Sequence, residues 1–113
     1  MSRTVRYELL ARDGGTAGRR GRLHTPHGTA ELPAFMPVGT GGSVKAMLPD
    51  EVAGLGYRII LGNTYHLMIR PGHRLVESLG GLHAFAQWPH VLLTDSGGFQ
   101  VLSLKERRRI DET

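Results

Sequence analysis

Three short apolar runs mark the second part of this 113-residue chain, and each ends in a polar or glycine-rich loop. Ala34-Phe35-Met36-Pro37-Val38 leads into Gly39-Thr40-Gly41-Gly42. Tyr57-Arg58-Ile59-Ile60-Leu61 leads into Gly62-Asn63-Thr64, and Val91-Leu92-Leu93-Thr94 into Asp95-Ser96-Gly97-Gly98. Apolar, partly β-branched runs of this length suit strands buried on both faces. Between them lie helical segments. Residues 49–55 have Pro49 early and Asp50 and Glu51 in the first turn, as helix starts prefer. Residues 73–79 are stopped by Gly80-Gly81, and 82–87 form a shorter stretch. Strands alternating with helices predict parallel βα units. Functional residues in such sheets lie just past the C-terminal strand ends. Asn63, Asp95 and the 39–42 loop all fall there. A closed barrel of eight such strands takes about 250 residues. Three strands are therefore expected to form part of a longer chain, and residues 105–113 carry no stop signal.

The preceding segment has a different period. Val5, Tyr7 and Leu9 alternate with Arg6 and Glu8, which reads as a strand over 5–11. Asp13-Gly14-Gly15 breaks it. Arg19, Arg20 and Arg22 around Gly18 and Gly21 read as a solvated loop. Residues 21–25 and 29–32 read as two short strands joined through His24-Thr25-Pro26-His27-Gly28.

Composition excludes several classes. The chain has no cysteine, so neither a disulfide nor a Cys-based zinc site is available within it. His24 and His27 are three apart but lack a carboxylate at matching spacing, and a polar turn accounts for them. The formal charge is +4, and 12 of the 14 basic residues are Arg. Guanidinium groups bind phosphate bidentately, so an RNA partner is compatible. Base composition of the gene can also enrich Arg, and charge alone does not decide the point. No apolar run reaches the ~18 residues that a membrane helix requires. Residues 1–11 lack a signal-peptide core. A soluble, cytoplasmic protein is expected.

Thr94-Asp95-Ser96-Gly97-Gly98-Phe99-Gln100 is the stretch richest in chemistry. A carboxylate closing an apolar strand is partly shielded from water, which suits general acid/base work. Two glycines let backbone approach a flat ligand closely and expose N–H donors. Phe99 supplies a face for stacking a base. A strand-to-helix turn with Asp as cap explains the same residues structurally. Asn63, at the neighbouring strand end, is placed either to hydrogen-bond Asp95 and orient it or to cap the helix that follows. His66 lies beside Leu67 and Met68 and reads as structural. Ser96 has no His–acid partner to activate it as a nucleophile.

Met36-Pro37-Val38-Gly39-Thr40, Leu61-Gly62-Asn63-Thr64-Tyr65-His66-Leu67 and Leu93-Thr94-Asp95-Ser96-Gly97-Gly98-Phe99-Gln100-Val101 resemble the N-terminal signature blocks of the bacterial tRNA-guanine transglycosylase family. They occur in the same order and cover most of the chain. Pro71-Gly72 and Gly80-Gly81-Leu82-His83 extend the match. The resemblance implies an α/β fold: a TIM barrel preceded by a small antiparallel sheet, with residues 1–33 in the sheet and 34–113 in the first βα units. It implies exchange of guanine at the tRNA anticodon wobble position for 7-aminomethyl-7-deazaguanine, on the route to queuosine. The mechanism would resemble a retaining glycosidase with two carboxylates. One aspartate attacks the ribose and holds the tRNA covalently. The other, matched by Asp95, is the general acid/base and also bonds the base. Asn63, Ser96, Gly97, Gly98 and Phe99 match the base-binding surroundings, with Phe99 stacking. Lys45 matches a loop that the family uses in its homodimer.

The family's nucleophilic aspartate and its structural zinc, held by three Cys and one His, match no residue of this chain. Asp111 is too early and in the wrong context. The 113 residues alone are expected to be inactive. Two functions of different class follow: part of a base-exchange enzyme, or a non-catalytic module that binds tRNA or a partner. The family's archaeal branch, which acts on another tRNA position, ranks below the bacterial one because the Met36-Pro37-Val38-Gly39-Thr40 block looks bacterial.

Overall fold

The computed structural model describes residues 4–97. The fold is mixed α/β, with a three-stranded antiparallel sheet followed by a two-stranded parallel one. The antiparallel sheet comprises β1 (Arg6–Arg12), β2 (Arg19–Thr25) and β3 (Gly28–Leu32), in chain order. Register pairs Tyr7 with Leu23 and Leu23 with Ala30, so these side chains share one face. The opposite face carries Glu8, Arg22, His24 and Glu31. There Arg22 Nε donates to Glu31 Oε1 at 2.6 Å, and His24 Nε2 lies 2.9 Å from Glu8 Oε1. Opposite charges directly across strands support this register. The loop expected at Arg19 and Arg20 is instead the start of β2, with Arg20 3.8 Å from Glu31. Pairing with β1 extends β2 beyond the boundary that composition suggested.

The first apolar run, 34–38, is not a regular strand. Pro33 and Pro37 lack the N–H that a ladder needs. What survives is one parallel bridge between Val38 and Leu61. Leu61 N donates to Pro37 O (3.0 Å) and Gly39 N to Leu61 O (2.6 Å). The other two runs form β4 (Ile59–Asn63) and β5 (Val91–Asp95), paired in parallel as expected.

Among the described residues, one short helix precedes β4, α1 (Pro49–Gly54), and three connect β4 to β5: α2 (Thr64–Ile69), α3 (His73–Ser78) and α4 (Leu82–Ala86). Pro49 opens α1, and Glu51 Oε1 accepts the Leu48 N–H at 3.0 Å. This satisfies a donor that a helix start leaves free. Gln87 at φ 52 and ψ 37 ends α4 in a left-handed turn.

Two clusters hold these layers together. Val52, Ile60, Ala86 and Trp88 pack on the helix-covered side of the parallel pair, with Leu92 and Tyr57 against them. Trp88 is 1% exposed, and its Nε1 donates to Val91 O at 2.8 Å. Ala30 packs on Ile59 and Val91 in the second cluster, with Leu23 and Met36 alongside. Ile59 and Val91 are the first residues of β4 and β5. The antiparallel sheet thus sits at the N-terminal end of the parallel strands, away from their C-terminal end. Among the described residues, no helix is long and apolar enough to cross a membrane.

Candidate active site

Strand period places Ile59, Leu61 and Asn63 on one face of β4 and Val91, Leu93 and Asp95 on the same face of β5. The register aligns Asn63 with Asp95 as the last pair of the ladder. This face lies opposite the helix-covered side. Its outer strand is open: Leu93 is 40% exposed.

Asn63 is the buried polar residue of the described core, at 7% exposure. Both alternatives weighed for it hold at once. Its Oδ1 accepts the His66 N–H at 2.9 Å and so caps α2. Its Nδ2 donates to Asp95 Oδ2 at 3.4 Å. A side-chain amide has a donor end and an acceptor end, and a cap uses only the acceptor. Asp95 is half-buried. Its Oδ1 accepts the Gly97 N–H at 3.1 Å. The carboxylate is therefore gripped by one donor on each oxygen, which fixes its plane and leaves further lone pairs available to a ligand.

A cavity of about 230 Å³ opens over this pair, lined by Val38, Thr40, Leu61, Gly62, Asn63, His66 and Asp95. The 39–42 loop contributes Thr40, and the bridge to Leu61 brings Val38 in beside it. The sequence placed the 39–42 loop at a functional strand end but assigned neither Val38 nor Thr40 a role in the site. His66 lies on the cavity wall with an exposed side chain, rather than in the core. Ser96 is exposed and Gly97 buried. Gly98 and Phe99 lie outside the described residues, as does Asp111. Lys45 is exposed on the loop before α1. It is not in the cavity.

The other histidines form separate arrangements. His24 pairs with Glu8. His27, in the β2–β3 turn, stacks on His83 of α4 with ring centroids 3.4 Å apart and planes 9° apart. His83 Nε2 lies 3.0 Å from His90 O. Burial, then the charge of His27, lower the His83 pKa, partly offset by its bond to the His90 carbonyl. Among the described residues, no group of three or more His, Cys, Asp or Glu is placed to hold a metal. A zinc site built on thiolates finds no fit in a chain without cysteine.

Comparison with known proteins identifies the family of the chain. The family model described as Queuine tRNA-ribosyltransferase matches residues 13–113. A protein of that name from Symbiobacterium thermophilum is 61% identical over 108 residues, covering 96% of this chain and 27% of the relative. Similar relatives of the same name come from Sorangium cellulosum, 61% identical over 114 residues, and Geobacillus kaustophilus, 55% identical over 112. Each match covers 99% of this chain, and 28% and 30% of the respective relative. The chain thus spans under a third of the length of these relatives. With the family model covering most of its length, the chain belongs to the queuine tRNA-ribosyltransferase family.

Proposed function

We propose that this chain contributes the general acid/base and the base-binding wall to an enzyme exchanging guanine in the tRNA anticodon for 7-aminomethyl-7-deazaguanine. The observation that carries this reading is the Asn63–Asp95 pair. A carboxylate with each oxygen anchored stands at the C-terminal end of two parallel strands, over a cavity. Catalytic groups of parallel βα folds occupy that end. The same reading takes β4 and β5 as strands of a TIM barrel, with 1–33 as the sheet across its N-terminal end and 34–113 as its first βα units.

Guanine leaves the ribose as a poor leaving group unless a proton reaches its ring nitrogen. Asp95 in its protonated form donates that proton while a second carboxylate, from the remainder of the enzyme, attacks the ribose carbon. The resulting Asp95 carboxylate then takes the ring N–H proton of the incoming base as that base displaces the aspartyl ester. Proton count balances over the cycle, and Asp95 ends as it began. Ser96, Gly97 and Gly98 border the base through their backbone, and Phe99 stacks on it. The partners are tRNA and the 7-deazaguanine base. The enzyme acts as a homodimer, with Lys45 near the subunit contact, and a structural zinc is held by residues outside this stretch.

The test is Asp95→Asn in the protein at the length of its relatives, followed by exchange of labelled guanine into tRNA. Exchange is expected to fall at least ~100-fold, the usual contribution of a positioned acid/base, with tRNA binding retained. Near-normal turnover would overturn the assignment and favour a non-catalytic tRNA-binding module.

A further inference from the structure

Among the described residues, the two hydrogen bonds on the Asp95 carboxylate lead back to one place, the first turn of α2. Asn63 reaches Asp95 with its amide nitrogen while its amide oxygen caps that turn. Gly97 reaches Asp95 with its N–H and rests on Tyr65, the second residue of α2. No room is left there for a side chain at position 97. A Cβ at position 97 would overlap Tyr65 Cβ and stand 3.1 Å from the Tyr65 N and 3.3 Å from its Cα. Gly97 also has φ +68, a conformation that L side chains rarely adopt.

Tyr65 does not yield easily. It is 3% exposed. Its hydroxyl has no hydrogen-bond partner among the described residues, so within them packing of the ring holds it. Its ring meets His66 edge-on at 5.7 Å between centroids. The result is a rigid ledge. Tyr65 sets where Gly97 lies, and the Gly97 N–H sets where Asp95 Oδ1 lies.

We propose that Tyr65 is a positioning residue for Asp95, acting through the Gly97 backbone and never touching the base. This rests on the reading of Asp95 as acid/base. A side chain at 97 cannot be accommodated by rotating a flexible neighbour, because the atoms it meets are Tyr65 Cβ and backbone. The loop must lift off α2 and carry the Gly97 N–H with it. Among the described residues, Asp95 then keeps the longer Asn63 contact and turns about its side-chain bonds.

The experiment uses the protein at the length of its relatives, with tRNA and labelled guanine. Gly97→Ala is expected to lower kcat about 100-fold, the effect of a misplacement near 1 Å. Its tRNA Kd should move less than twofold, KM for the base should change less than kcat, and the limb of the kcat–pH profile due to the acid/base should shift. Tyr65→Leu, which keeps the Cβ but loses the ring, is expected to lower kcat about tenfold on the same reasoning. Tyr65→Phe should restore the rate, since it keeps both ring and Cβ. Should Gly97→Ala fail to fold, the Leu and Phe pair reads the same coupling. A base KM that rises while kcat holds would show that position 97 serves base binding and not the placement of Asp95, and would overturn the proposal. So would a Tyr65→Leu enzyme with unchanged kcat and pH profile. Asp95→Asn in parallel separates the two layers. If it is inactive while the Gly97 and Tyr65 variants are normal, only the positioning role fails. If it is active, the reading of Asp95 fails, and positioning falls with it.

Discussion

Replacing Asn63 separates two jobs that one side chain performs. Asn63→Ala removes the acceptor that caps α2, a contact of 2.9 Å at a site 7% exposed. Losing an N-cap costs about 1 kcal/mol, toward the upper part of its range where water cannot replace it. It also removes the donor to Asp95. That contact is 3.4 Å, beyond the usual N–H···O range, so its stability term is below the ~1.5 kcal/mol of a well-formed bond to a charged group. Together Asn63→Ala should destabilise by about 2 kcal/mol on these figures. Asn63→Ser keeps a capping oxygen but is too short to reach Asp95. It should recover about half of that loss, roughly 1 kcal/mol. Catalysis should not follow the same order. Both variants release Asp95 Oδ2, so both should lose exchange rate by about 10- to 100-fold, the usual effect of freeing an orienting contact. Urea denaturation gives the stabilities and single-turnover guanine exchange gives the rates, each in the protein at the length of its relatives. Equal stability of the Ala and Ser variants would refute the cap. A Ser variant exchanging at the wild-type rate would refute the orienting role.

Trp88→Ala should cost about 3–5 kcal/mol, because Trp88 is 1% exposed and tethers the Val91 carbonyl; a thermal midpoint unchanged within error would contradict the packing described. The pH dependence has a definite sign. The folded-state pKa of His83 is lowered by burial and then by His27, and that of His90 by burial and then by Arg58. Stability is then fully present above the ordinary histidine pKa of ~6.5 and is lost as pH falls from there through the lowered folded-state values. Unfolding midpoints should drop between pH 7.5 and 5.5, and less so in His83→Gln; a flat or rising profile would rule out the linkage. Phe99→Ala should raise KM for the base about fivefold or more, from ~1–3 kcal/mol of stacking, with little change in tRNA affinity.

Much of the local structure was readable before any coordinates. The alternation of Val5, Tyr7 and Leu9 with Arg6 and Glu8 marked β1, and the apolar runs ending in Asn63 and Asp95 marked β4 and β5. Strand period and strand-end position are local properties, and both appear in the order of residues. What misled was equally local. Residues 34–38 have the apolarity of a strand, but two prolines leave only one bridge. Arg19 and Arg20 have loop composition, yet pairing with β1 extends β2 through them. Tertiary pairing overrode composition in the second case, and missing N–H groups overrode it in the first.

By itself, then, the sequence determined the approximate places of most strands, the starts of α1, α3 and α4, and the family, since those depend on neighbours in the chain and on short motifs. Only the tertiary structure decided how the ends meet. The parallel register sets Asn63 beside Asp95 across 32 residues of chain. It lets one amide cap α2 and hold the carboxylate together, where the sequence offered these as alternatives. It also brings His27 onto His83, and Gly97 onto Tyr65. Such contacts depend on packing between elements distant in sequence, which no local pattern encodes.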